Sequence, residues 1–175
     1  MIGGDYFYQN LRIHGVNKMQ LFVRQMNEAM ATDILGWQYD KPYDFYNNEQ
    51  TEDAMKEMLD GSYYTIVDGS NVLIGFFCIG VNAKVPAGNQ FGVYTEDLVD
   101  MGVGMNPTLV GKGNGFEFCT HVIQFIRQQP NNPTIRLTVA TFNERAIHLY
   151  KKLGFVAEKN FSTGGTEFIT MVKKD

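Results

Sequence analysis

Three glycines at alternate positions, Gly111, Gly113 and Gly115, punctuate the run Met105-Asn-Pro-Thr-Leu-Val-Gly-Lys-Gly-Asn-Gly-Phe116. A strand-like segment precedes them and a helix-like one follows. Glycines there let the backbone turn sharply and bring its N–H groups close to a ligand without interference from Cβ atoms. The helix that follows offers unpaired N–H groups and the positive end of its dipole. Together these are the parts of a phosphate or pyrophosphate cradle.

Two common cradles do not fit. A P-loop needs Gly-Lys followed directly by Ser or Thr, whereas Gly111-Lys112 is followed by Gly113, so the magnesium-binding hydroxyl is missing. A dinucleotide fold needs Gly-x-Gly-x-x-Gly in its first βαβ unit. Here Phe116 stands at the third glycine, and the loop lies past the middle of the chain.

The third option is a coenzyme A site. The loop Val110-Gly-Lys-Gly113-Asn-Gly115 after Met105-Asn-Pro107 resembles the signature of the GNAT N-acetyltransferase superfamily, Arg/Gln-x-x-Gly-x-Gly/Ala after a strand and an x-Pro turn. The departure is Val110, where that family usually carries Arg or Gln. Downstream, Asn143-Glu-Arg-Ala146-Ile-His-Leu-Tyr150-Lys-Lys-Leu-Gly154-Phe155 resembles the family's Asn-x-x-Ala-x-x-x-Tyr-x-x-x-Gly-Phe helix. The resemblance spans nearly everything except the first 18 residues.

That resemblance implies an α/β fold with a central, mostly antiparallel sheet, one splayed parallel strand pair and flanking helices. Acetyl-CoA is the implied acetyl donor. Its pyrophosphate would sit on Val110, Gly111, Lys112, Gly113, Asn114, Gly115 and Phe116, its pantetheine along Val103, Gly104 and Met105, with Asn143 and Ala146 at the start of the downstream helix. A free N–H at Val103 or Gly104 would stabilise the oxyanion of the thioester. The glycines at 102 and 104 also read as a β-bulge. Tyr150 matches the family's proton donor to the departing thiol. Its spacing with Ala146, Ile147 and Leu153 also suits a core tyrosine with its hydroxyl at the rim.

An acceptor amine has a pKa of roughly 8 to 10.4 and must lose a proton before it attacks. Asp100, a carboxylate inside the apolar run Leu98-Val-Asp-Met-Gly-Val, needs either a partner or a task. It is the candidate base, with Glu96 and Asp97 as substitutes; the family also uses water relays. The aromatic stretch Trp37, Tyr39, Pro42, Tyr43, Phe45 and Tyr46 resembles the Trp-x-Tyr-x-x-Pro-Tyr-x-x-Tyr segment of some bacterial relatives, where the connection between the first two helices walls the acceptor pocket. Trp37, Tyr39, Tyr43 and Tyr46 are therefore the candidate acceptor residues. Rings can hold an amine by cation–π contact, and Asp40, Asp44, Glu49, Glu52 and Asp53 make the region acidic. The bland alternative is a loop stapled to the core by its rings.

The elements that must position these groups follow from period and punctuation. Strands are expected at 20–24, 62–67, 72–81, 98–105, 134–140, 155–157 and 167–172, and helices at 27–37, 51–60, 113–128 and 143–153. The second of these helices is announced by Thr51-Glu-Asp-Ala, the third by apolar residues at 116, 119, 123 and 126, and the last ends at Gly154. Asp68-Gly-Ser-Asn71 is a hairpin turn. Residues 82–97 form a long connection of the kind that carries function. Residues 1–18 read as an extension and 19–175 as one domain.

With 175 residues, 44% hydrophobic, the chain can bury a sizeable core. A net charge of −4 provides no basic field for nucleic acid. Cys78 and Cys119 lie in apolar surroundings and read as reduced, buried thiols of a cytoplasmic protein, Cys119 being a nucleophile candidate only in second place. His14, His121 and His148 share no ligand-like spacing, so no metal is expected. No apolar run suits a membrane span. The activity implied is transfer of an acetyl group to a small-molecule or protein amine by direct attack in a ternary complex. The alternatives are a catalytically silent CoA-binding regulatory module, and transfer of a longer acyl chain or to a hydroxyl. A homodimer is implied by resemblance alone.

Overall fold

A computed structural model describes residues 20–173. The extension expected at 1–18 lies outside the described residues. In chain order the elements are β1 (Leu21–Gln25), α1 (Glu28–Leu35), α2 (Glu52–Met58), β2 (Tyr63–Asp68), β3 (Leu73–Ile79), β4 (Val99–Met105), α3 (Gly115–Arg127), β5 (Ile135–Ala140), α4 (Glu144–Lys152), β6 (Phe155–Thr163) and β7 (Thr166–Lys173). Short 3₁₀ turns at Tyr43–Tyr46, Gly80–Ala83, Pro86–Phe91 and Pro107–Leu109 shape the connections.

Local chemistry sets the boundaries. The side chains of Asn27 and Thr51 accept the N–H groups of Met30 (3.0 Å) and Ala54 (3.1 Å) and so start α1 and α2. In the β2–β3 turn, Asp68 Oδ1 accepts from Ser70 and Val72 at 2.9 Å each. The strand expected to run to residue 81 stops at Ile79, where Gly80 turns to φ +86°. β6 is longer than the expected 155–157. Its outer half is a polar edge strand whose register against β7 shifts between Ala157 and Asn160, which hides the period-two signal. A turn at Gly164 and Gly165, both at positive φ, closes this second hairpin.

The seven strands form one sheet in the order β1-β2-β3-β4-β5-β7-β6, antiparallel throughout except for the parallel pair β4–β5. α3 and α4 share a core with one face of the sheet, around Phe77, Met101, Phe118, Val122, Leu137 and Tyr150. α1 and α2 pack on the other, around Ile34, Met58, Tyr63 and Cys78. The buried arc of α3 is Phe118, Cys119, Val122, Ile123 and Ile126. Phe116, expected on that arc, is half exposed in the first turn.

The pair β4–β5 is the feature that positions the site. The strands are registered only at Val99↔Ile135 and Asp100↔Arg136. Beyond that point β4 continues with β3 as far as Met105, and β5 continues with β7 as far as Ala140. The sheet therefore opens into a V.

A candidate acetyl-transfer site in the β4–β5 cleft

Strand parity determines which backbone groups line the V. The N–H of Asn106 donates to the Ile74 carbonyl at 2.9 Å, and Gly104↔Phe76 and Gly102↔Cys78 follow in the same register. These even-numbered residues are committed to β3. By alternation, the N–H and C=O groups of Met101, Val103 and Met105 point toward the gap. Of the two amides considered for the oxyanion, only that of Val103 is directed there; Gly104 is spent on the ladder. The register of β4 against β3 is unbroken, so Gly102 and Gly104 do not form a bulge. They make room instead: a methyl on Gly104 would run into the Phe76 ring, and one on Gly102 would meet Cys78 Sγ at 2.9 Å.

The glycine loop turns through left-handed backbone at two of its three glycines. Gly111 and Gly113 sit at φ +76° and +85°, which favour glycine, and nothing lies within 4 Å of where a Gly113 methyl would be. Asn114 Nδ2 ties the loop back to the Leu109 carbonyl at 3.1 Å. Among the described residues no side chain caps the N-terminus of α3, which leaves its first N–H groups toward the loop without a capping partner there. Gly115 has a different reason to be glycine, since a methyl there would meet Leu149 Cδ2 at 2.9 Å. It lets α3 and α4 approach. Asn143 caps α4 by accepting the Ala146 N–H at 3.1 Å.

Tyr150 is buried in the shared core, with its ring tilted edge-on to Phe155 at 5.9 Å. Burial raises its pKa well above the ordinary phenol value, with Cys119 and Tyr46 as the neighbouring ionisable groups. Its hydroxyl has no hydrogen-bond partner among the described residues.

Asp100 is placed differently from a base. Its carboxylate is 1% exposed and receives Arg136 Nε at 2.7 Å and Nη2 at 2.8 Å, with Lys84 Nζ at 3.6 Å. Both oxygens are engaged by cations at the closed vertex of the V, so the expectation of a general base at Asp100 is corrected to a structural ion pair. Glu96 and Asp97 are exposed on the neighbouring connection.

The aromatic stretch spans the mouth of the V. Trp37 rests on Phe76 (5.9 Å between ring centroids), and the Tyr39 hydroxyl donates to the Met105 carbonyl at 2.8 Å. Burial pushes the Tyr39 phenol up to about 12. On the far side, the Asn143 amide donates to the Tyr46 hydroxyl at 3.3 Å, and the Arg145 guanidinium lies 4.3 Å above the Tyr43 ring. The structure thus brings Tyr39 to the β4 rim and Tyr43 and Tyr46 to the α4 rim. Arg145 went unremarked in the sequence although it stands inside the Asn143–Gly154 pattern. Its place two residues after the helix cap was the available signal.

Among the described residues no group of three His, Cys, Asp or Glu side chains is arranged to hold a metal ion, and no helix is long and apolar enough to cross a membrane.

Residues 23–155 match the model of the acetyltransferase (GNAT) family. Among solved structures, the chain is similar to a chimera of the Vibrio cholerae spermidine N-acetyltransferase SpeG with hSSAT. That likeness has a TM-score of 0.64 at 21% identity and covers 87% of this chain and 94% of the other. It is also similar to a GNAT-family acetyltransferase from Bacillus anthracis, with a TM-score of 0.67 at 16% identity and 90% and 96% coverage. At these identities the likeness is one of fold. No curated protein sequence matches. The family model covers most of the chain, and the open β4–β5 pair beside an uncapped glycine loop is the matching architecture; the chain belongs to the acetyltransferase (GNAT) family.

Proposed function

We propose that this enzyme moves the acetyl group of acetyl-CoA directly to a bound, cationic amine in a ternary complex. The observation that carries the reading is the V itself, with the Val103 amide directed into it and the Tyr150 hydroxyl unpartnered in the same apolar cluster. Pantetheine amides would replace the sheet partners that β4 and β5 lack, and the pyrophosphate would take the N–H groups of the glycine loop and α3.

The amine first loses a proton to water. Its lone pair attacks the thioester carbonyl, and the Val103 N–H stabilises the oxyanion. Attack makes the C–N bond, and collapse of the tetrahedral intermediate restores the carbonyl and breaks C–S. Because burial keeps Tyr150 protonated, its role is to hydrogen-bond the developing thiolate and give up its proton only as sulfur departs. The amine's second proton then restores the phenol, directly or through water. The acidic residues Asp40, Asp44, Glu49, Glu52 and Asp53 around the aromatic stretch support a cationic acceptor, as do the spermidine acetyltransferases among the structural neighbours.

The test is thiol release from acetyl-CoA across a panel of polyamines, other small amines and lysine peptides. Amine-dependent release that is fastest with polycations is expected. Binding of acetyl-CoA without amine-dependent release across the panel would overturn the reading.

A further inference from the structure

The glycine loop lacks a cation at Val110, which is extended (φ −65°, ψ 141°) and apolar. A cation nevertheless lies against the loop. A methyl on Gly111 would meet Arg145 Nη1 at 3.6 Å, so the guanidinium of α4 sits beside the first turn of the loop. Arg145 is held there by the face of Tyr43, 4.3 Å away, and it has no carboxylate partner among the described residues. With Glu144, His148 and Lys151 it lines an open groove of about 510 Å³ along α4. An unpaired guanidinium with a fixed orientation beside backbone N–H donors is what bidentate recognition of a phosphate needs.

We propose that Arg145 supplies from α4 the cation missing at Val110 and contacts the cofactor pyrophosphate. The proposal rests on the reading of the loop as a coenzyme A site. It gives Tyr43 a second place in the enzyme. Its ring faces the protein's own cation and positions it, which ties the acceptor-side connection to occupancy of the donor site.

The test compares binding of CoA, dephospho-CoA and S-acetylpantetheine, which lacks the pyrophosphate, by titration calorimetry. Arg145→Gln should weaken CoA and dephospho-CoA alike by about 10- to 100-fold, the range for a charge-assisted hydrogen bond, and leave S-acetylpantetheine unchanged. Arg145 is exposed on α4, so the variant should keep its melting temperature. Adding Val110→Arg to Arg145→Gln should recover most of the lost affinity. A Tyr43→Leu variant should weaken both nucleotides by a smaller factor. Wild-type affinity of Arg145→Gln for CoA would overturn the proposal, as would a loss confined to CoA, which would move the contact to the 3′-phosphate. If the wild-type protein binds none of the three, or if Gly113→Asp binds CoA normally, the loop reading itself falls and takes the proposal with it.

Discussion

Asp100 and Arg136 are partners across β4 and β5 at the last register those strands share, and the carboxylate of one receives two nitrogens of the other at 2.7 and 2.8 Å. The pair closes the vertex of the V. Arg136 also donates from Nη1 to the Val93 carbonyl at 3.3 Å and lies 4.9 Å from the centre of the Tyr94 ring. The Tyr94 hydroxyl shares a 2.8 Å hydrogen bond with Thr138 Oγ1, one step up β5, and accepts the Val85 N–H at 3.0 Å. One ion pair therefore ends the β4–β5 ladder and pins the connection at residues 80–97 beside the opening.

Removing the carboxylate charge should be costly. Asp100→Asn would leave the Arg136 guanidinium, 2% exposed, without its counter-charge, and breaking such a buried pair costs about 3–5 kcal/mol. Urea unfolding should show that loss at unchanged slope. A loss below about 1 kcal/mol would mean that water and the Val93 carbonyl satisfy the guanidinium instead.

The contrast between Asp100 and the glycine loop shows what a sequence discloses. The loop, α4 and the 62–81 hairpin were legible because their signals are local: glycines at positive φ, an asparagine cap, an Asp–Gly–Ser–Asn turn. Asp100 was visible as an uncomfortable residue, but its partner stands on a strand reached only through α3, and nothing local names it. The same holds for Arg145 over Tyr43. Gly102 and Gly104 suggest a backbone device because a glycine in a strand says that space is needed, not for what. The fold shows the space filled by Phe76 and Cys78.

Two glycines separate binding from folding. Gly104→Ala would drive a methyl into the Phe76 ring, which is packed between Trp37 and Tyr63. Overpacking of this kind costs about 1–3 kcal/mol or more, so the melting temperature should fall. Gly113→Asp meets no atom within 4 Å. It should cost only about 1–2 kcal/mol of backbone strain at positive φ, yet abolish CoA binding by placing a negative charge in the cradle. Calorimetry and circular dichroism on both variants distinguish the two effects.

Tyr150→Phe removes one oxygen from a side chain whose ring is already held by the core. Stability should change by less than about 1.5 kcal/mol. Affinity for acetyl-CoA should persist, and turnover should fall by about 10²-fold, the lower range for an assisted proton transfer. The deficit should shrink with an acyl donor whose thiol is more acidic, because such a leaving group needs less help. An unchanged rate would remove Tyr150 from the chemistry.

The cysteines give the enzyme an alkaline limit. Burial pushes the thiols of Cys78 and Cys119 up to about 12, against 9.0 for an unperturbed thiol. A raised folded-state pKa means that the folded protein favours the protonated form. The contribution is fully present below pH 9 and is lost as pH rises from 9 toward 12, at up to about 1.4 kcal/mol per pH unit for each thiol. Unfolding free energy measured from pH 8 to pH 11 should therefore be flat and then fall. In the native protein at pH 8 neither thiol should react with an aromatic disulfide reagent, while both should react once the chain is unfolded. Rapid labelling of Cys119 in the native state would instead place a reactive thiolate beside Tyr150 and reopen Cys119 as a nucleophile.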